Sequence, residues 1–146
     1  YTTWPTQPMS SARHRMFGAE TACNMHQALV GAHLLAPHDD PAFLIELIEE
    51  RMHNHLRYLF TMPILARFEL DCHRRLERGE ALSADGMTEV LAELYRQGYG
   101  GEVVLDAPRM GITRARFPHP FAHFYVFPSA TGIAAAPPLP QHVTPR

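Results

Sequence analysis

Asp39-Asp40-Pro41-Ala42-Phe43-Leu44-Ile45-Glu46-Leu47-Ile48-Glu49-Glu50-Arg51-Met52 decides the fold class of this chain. An Asp followed by Pro is a helix-start signal, because the carboxylate caps free backbone N–H groups and Pro at the first helical position gives up no hydrogen bond. From there Phe43, Leu44, Leu47, Ile48, Met52, Leu56, Leu59 and Phe60 recur at helical spacing, opposite Glu46, Glu49, Glu50, Arg51 and Arg57. The element is a long amphipathic helix. Pro63 falls inside the periodic region and predicts a kink or split, with a continuation through Ile64, Leu65, Phe68, Leu70, Cys72 and Leu76 to Gly79.

Working outward, Met16, Ala19, Cys23, Leu29, Val30, Leu34 and Leu35 predict a preceding helix that ends before Pro37. Downstream, Ser83 or Asp85 caps a helix through Val90, Leu91, Leu94 and Tyr95 that stops near Gly98. Glu102 to Leu105 is a short apolar run closed by Asp106-Ala107-Pro108, which leaves room for a short strand pair near 102–116. A last helix is expected within 121–136, after Pro118 and Pro120 and with Pro128 as an interruption. The expected fold class is mainly α, a multi-helix bundle. Its parts are a loop or extended arm at 1–15, a helical region at 16–136 and a Pro-rich tail at 137–146.

At 146 residues the chain is long enough to bury a helical core without disulfides or a metal. Its two cysteines, Cys23 and Cys72, sit inside helical patterns and match no metal-type spacing, so they read as reduced, buried thiols of a reducing compartment, the cytoplasm. All 13 basic residues are Arg, yet 15 Asp and Glu leave a net charge of −2. That balance offers no basic stripe for nucleic acid, and no apolar run is long enough to span a bilayer. Ten histidines make the charge sensitive to pH near neutrality. The chain begins at Tyr1 and ends in prolines, so a portion of a larger protein and a shortened gene product are both carried as expectations.

The block Phe117-Pro118-His119-Pro120-Phe121-Ala122-His123-Phe124-Tyr125-Val126-Phe127, running into Ala130-Thr131-Gly132, packs more aromatics and imidazoles than a core needs. Other notable pieces are Gln7-Pro8, Ala19-Glu20-Thr21-Ala22-Cys23, Phe60-Thr61-Met62 leading to Ala66-Arg67-Phe68-Glu69-Leu70, Gly79-Glu80, and Tyr99-Gly100-Gly101-Glu102-Val103-Val104. In order and spacing, these resemble the C-terminal part of the oligoendopeptidase F family, within the thimet-type zinc oligopeptidases. The resemblance extends over most of the chain and implies hydrolysis of short peptides.

The resemblance also implies residue roles. In the family, two His of a His-Glu-x-x-His helix and a Glu from a later helix hold zinc, with one position open for water. Glu20 matches that Glu, and Gln27 stands seven residues on, where family members often carry a second acidic residue that orients the site. His119 and Tyr125 match a histidine and tyrosine that contact substrate and stabilise the oxyanion, since both side chains donate hydrogen bonds. Phe124 is placed with them as a substrate contact, against the alternative that Phe124, Tyr125 and Phe127 are an aromatic core stripe. Phe121 and Phe127 depart from the tyrosines common there, and Ser129 replaces an aromatic.

The sequence contains no His-Glu-x-x-His. Zinc is therefore expected only if an upstream segment or a partner supplies the missing histidines, and the chain alone is not expected to be active. His14, His119 and His123 could instead join Glu20 in an unrelated metal site. The alternative function is an inactive helical module that binds a peptide or protein partner, or its own copy, through the face that meets the missing segment in the family.

Overall fold

Residues 5–10, 16–119 and 122–135 are described by a computed structural model. Most of the expected arm, the Pro120-Phe121 junction and the whole 137–146 tail lie outside the described residues. Every regular element within them is helical: α1 (Met16–Leu35), α2 (Pro41–His55), a π-helical turn (Leu56–Thr61), α3 (Met62–Glu77), α4 (Ala84–Tyr99), α5 (Ala107–Ile112), a 3-10 turn (Thr113–Ala115) and α6 (Val126–Ala135). The mainly α class stands.

Local chemistry sets the boundaries. Ala42 N–H donates to Asp40 Oδ1 at 3.1 Å, and Leu44 N–H donates to the Asp40 carbonyl at 3.0 Å, so the Asp-Pro start of α2 is used as predicted. Pro63 acts on the helix ahead of it. Its missing N–H is the donor that would otherwise reach the carbonyl of Leu59, and the chain answers with a wider π turn in which Met62 N–H reaches back to the Arg57 carbonyl. Backbone angles stay right-handed at Thr61 (φ −67°, ψ −45°), so the expected split takes the form of a π turn between two helices.

At the end of α3, Glu80 N–H donates to the Arg75 carbonyl and Gly79 N–H to the Leu76 carbonyl, both at 2.9 Å. This Schellman closure needs the left-handed Gly79 (φ 75°). Of the two candidate caps for α4, the chain uses Ser83, whose Oγ accepts from Gly86 N–H at 3.0 Å.

The strand pair entertained near 102–116 is not formed. Asp106 Oδ1 accepts from Arg109 N–H at 3.1 Å, and Pro108 lies in the first turn of α5, so the stretch repeats the Asp-then-Pro logic of α2 and starts a helix. Pro108 also has no N–H to offer a strand ladder. Pro128, read as an interruption, sits in the first turn of α6, where a missing N–H costs little.

The chain divides into two compact units, residues 52–130 and residues 1–51 with 131–146. In residues 52–130, Met62, Ile64, Leu65 and Phe68 of α3 pack with Leu91, Leu94 and Tyr95 of α4 and with Val126. Gly111 of α5 lies against α4 so closely that a Cβ there would sit 2.1 Å from the Thr88 carbonyl oxygen. Arg114 Nη2 donates to the Ala84 carbonyl at 3.1 Å, tying the 3-10 turn to the start of α4.

The other unit is held differently. Gln27 Nε2 of α1 donates to Glu50 Oε1 of α2 at 2.6 Å, and Asn24 and Ile133 are buried. The predicted apolar stripe is only partly covered: Phe43, Leu44 and Leu47 are half-buried and Ile48 is exposed here, and Met52, Leu56 and Leu59, which belong to residues 52–130, are exposed as well. Cys23 is exposed too, correcting its reading as a buried thiol, while Cys72 is half-buried. No helix among the described residues is long and apolar enough to cross a membrane.

Candidate functional site

Glu20 lies in the second turn of α1, half-buried. One turn on, the buried Asn24 donates from Nδ2 to the Glu20 carbonyl at 2.8 Å. Gly132 of α6 passes directly over it: a Cβ at Gly132 would lie 2.9 Å from Glu20 Cβ and 3.0 Å from its carbonyl carbon. Only a residue without a side chain allows that approach. Gln27 follows two turns after Glu20 and is engaged by Glu50 of α2.

Zinc needs three protein donors when one position is left for water. Among the described residues, no cluster of three His, Cys, Asp or Glu donors includes Glu20. The described residues therefore do not gather a zinc donor set at Glu20.

His119 and Tyr125 are brought together. Two tight turns, Ala122 N–H to the His119 carbonyl at 3.0 Å and Tyr125 N–H to the Ala122 carbonyl at 2.8 Å, fold the segment back before α6. The rings of His119 and Tyr125 then stack with centroids 5.1 Å apart and planes at 29°, while Phe117 tilts against His119 at 6.3 Å. His119 Nδ1 is buried without a hydrogen-bond partner. Leaving such a group unpaired costs about 1–3 kcal/mol, so an orphaned ring nitrogen calls for an explanation. Its chemistry suits a donor or acceptor awaiting a ligand group.

Phe124 belongs to a different cluster. It is 47% exposed and adopts φ 52°, a left-handed conformation rare for a bulky side chain. Its N–H donates to Glu69 Oε1 at 2.7 Å, and its ring lies 4.9 Å from that of His73 and 5.6 Å from that of His123. His123, named as one residue that could join Glu20 in an unrelated metal site, is grouped with Glu69 and His73. His14 lies outside the described residues.

Glu69 and His73 were not singled out as chemical groups from the sequence. The available signal was their spacing of four on a predicted helix, which puts two ligand-type side chains on one face. The segment that brings His123 to them is read only in three dimensions. Elsewhere a groove of about 480 Å³ between α3 and α4 is lined by charges of both signs, of which Arg75 pairs with Asp71 at 2.7 Å, while Arg67 Nη2 donates to the neutral Gln97 Oε1 at 3.2 Å.

Comparison with known proteins places these features in a family. Oligopeptidase PepF of Bacillus subtilis is 28% identical over 143 residues, covering 98% of this chain and 21% of that protein. The plasmid-encoded oligoendopeptidase F of Lactococcus lactis subsp. cremoris is 28% identical over 141 residues, 97% of this chain and 23% of its own length. An oligoendopeptidase F homolog of Borreliella burgdorferi is 24% identical over 136 residues, 93% of this chain and 23% of its own length. The chain thus spans about a fifth of the length of the curated relatives it matches. No solved structure matches at a significant level. The model of peptidase family M3 matches residues 1–137, nearly the whole chain, and the chain belongs to that family.

Proposed function

We propose that this chain is a portion of a zinc metallo-oligopeptidase that hydrolyses short peptides, and that it contributes Glu20 to the metal site and His119 with Tyr125 to the substrate. Membership of peptidase family M3, a generally zinc-dependent family, supports the class of reaction. The observation that carries the residue roles is the stacked His119–Tyr125 pair, with a buried ring nitrogen on His119 that has no partner. Both side chains donate hydrogen bonds, and a donor fixed in advance stabilises a developing oxyanion more than a mobile water does. Phe124 offers an exposed ring for a substrate side chain.

On this reading Glu20 supplies one hard anionic donor, Gln27 lies in the surrounding shell, and a His-Glu-x-x-His segment supplies the other metal ligands and the general base. Zinc held by such a set would supply Lewis acidity there. Gly132 acts as a positioning residue, since its bare Cα sets how closely α6 approaches Glu20. Two cysteines without disulfides fit a cytoplasmic setting.

The test is reconstitution with a segment carrying His-Glu-x-x-His and assay of chelator-sensitive cleavage of a fluorogenic peptide. Glu20→Ala is expected to abolish activity with helical circular dichroism intact. His119→Ala is expected to lower kcat by about 10²–10³-fold, the usual loss for one oxyanion donor. Retained activity in Glu20→Ala would remove the ligand assignment.

A second reading, a module that binds a partner or its own copy, is favoured by one observation. Ile45, Ile48 and Met52 of α2 lie on one side at 56%, 49% and 67% exposure. Contiguous apolar surface of this kind marks an interaction face. Light scattering on a gel-filtered sample decides it: self-association supports the face, and a monodisperse monomer counts against it.

A further inference from the structure

Glu69 is almost wholly buried, at 3% exposure, yet only half of its carboxylate is used. Oε1 accepts the Phe124 N–H at 2.7 Å, whereas Oε2 is buried with no hydrogen-bond partner. A buried carboxylate oxygen that has lost its water and gained nothing is costly, and such an atom points to a missing cation or donor. Four residues on, along the same face of α3, stands His73. Its Nδ1–H donates to the Glu69 carbonyl at 2.8 Å, which leaves Nε2 as the nitrogen with a lone pair.

The third group comes from the segment before α6. The His123 ring centroid is 5.2 Å from that of His73, with planes at 40°. One donor atom from each of Glu69, His73 and His123 falls within 4.8 Å of the others. Phe124, next in sequence, holds the left-handed backbone that brings His123 there, and its N–H is secured by the other oxygen of Glu69. A strained residue held by a buried carboxylate that also faces a vacant coordination need is an arrangement expected at ligand sites.

We propose that Glu69, His73 and His123 form a binding site for a divalent transition-metal ion of the zinc class. Two imidazoles and one carboxylate are a donor set that Zn²⁺ and its neighbours accept, and they leave an open coordination position. Ligand atoms in a tetrahedral site with bonds of 2.0–2.1 Å lie ~3.3 Å apart, so the cluster must contract on binding. His123 is exposed and can rotate inward, while Glu69 and His73 are fixed on one helix. The ion would then satisfy Glu69 Oε2 and pin the 122–125 segment to α3. All three donors lie within residues 52–130 and none is Glu20, so this proposal and the peptidase reading fail separately.

The test titrates the full chain, freed of metal by chelation, with Co²⁺ alone, read by its visible absorption and by competition with Zn²⁺. One equivalent is expected to give the absorption of a low-coordinate N/O site. His123→Ala, at an exposed position, and Glu69→Gln, which keeps volume and an acceptor for Phe124 N–H, should each weaken binding at least about tenfold. His33→Ala, an exposed histidine in the other unit, should not change it. Circular dichroism checks each fold, and His123→Gln gives the same readout should the alanine variant lose helix. Absence of Co²⁺ binding, unchanged affinity in the His123 variants, or an equal loss in His33→Ala would each overturn the site.

Discussion

In residues 52–130, Leu65, Leu91 and Val126 are fully buried and gather three helices around one apolar core. In residues 1–51 with 131–146, the described residues bury little more than Asn24, Gly132 and Ile133, and a side-chain amide bridges α1 and α2. Both regions carry helical apolar stripes, and α3 and α4 separate their apolar and polar faces more sharply than α1 and α2 do. The difference teaches that an apolar stripe states which face can be buried and not whether anything arrives to bury it. The core region is built to hold itself together, whereas the region with Glu20 relies on close backbone approach and polar ties.

The sharpest way to break this contrast is a pair of truncations. Leu65→Ala, at a fully buried site, should cost about 2–5 kcal/mol in urea unfolding. Ile48→Ala, 49% exposed, should stay within about 0.5 kcal/mol. Equal costs would mean that Ile48 is covered in solution, and the contrast would fall.

Glycines give the next largest effect. Gly111→Ala drives a Cβ to 2.1 Å from the Thr88 carbonyl oxygen, and separating α5 from α4 should cost about 1–3 kcal/mol by thermal melting. Gly132→Ala meets Glu20 at 2.9 Å, a milder overlap, so a smaller loss is expected, together with a moved Glu20 amide resonance. A shift at Glu20 without loss of stability would sharpen the view of Gly132 as a positioning residue.

The smallest effect concerns pH and the two thiols. Burial, then the neighbouring Asp71, pushes the Cys72 thiol up, and burial pushes the Tyr95 phenol up against the lowering effect of its hydrogen bond with Thr113. Both groups favour their neutral forms when folded. Their contribution is intact below the unfolded values, about 8.5 for a thiol and about 10 for a phenol, and is lost as pH rises through the folded ones. The melting temperature should therefore fall on the alkaline side, less steeply in Cys72→Ala. At pH 8, iodoacetamide should label the exposed Cys23 before Cys72; the reverse order would contradict the burial that distinguishes Cys72.

Much of this architecture was legible because its punctuation is local. Asp40-Pro41, Pro63, Gly79 and Ser83 act through their own backbone neighbours, so α2, the π turn, α3 and α4 begin and end close to where the residues demand. The 102–116 stretch was misread because Val103 and Val104 suggested a strand, while Asp106 and Pro108, a cap and a first-turn proline, belonged to a helix. Among the candidate site residues, His119 and Tyr125 were each named from a family resemblance, and their stacking comes from two tight turns that no periodicity encodes.

By itself, the sequence determined the helical class, the main helix boundaries and membership of peptidase family M3, since caps, prolines and motif order act at short range along the chain. Tertiary structure decided which apolar faces are covered, why Gly132 has no side chain beside Glu20, and that Glu69 and His73 meet His123 some fifty residues on. Those outcomes depend on where backbone segments approach one another, and that is a property of packing distances which spacing along one chain does not contain.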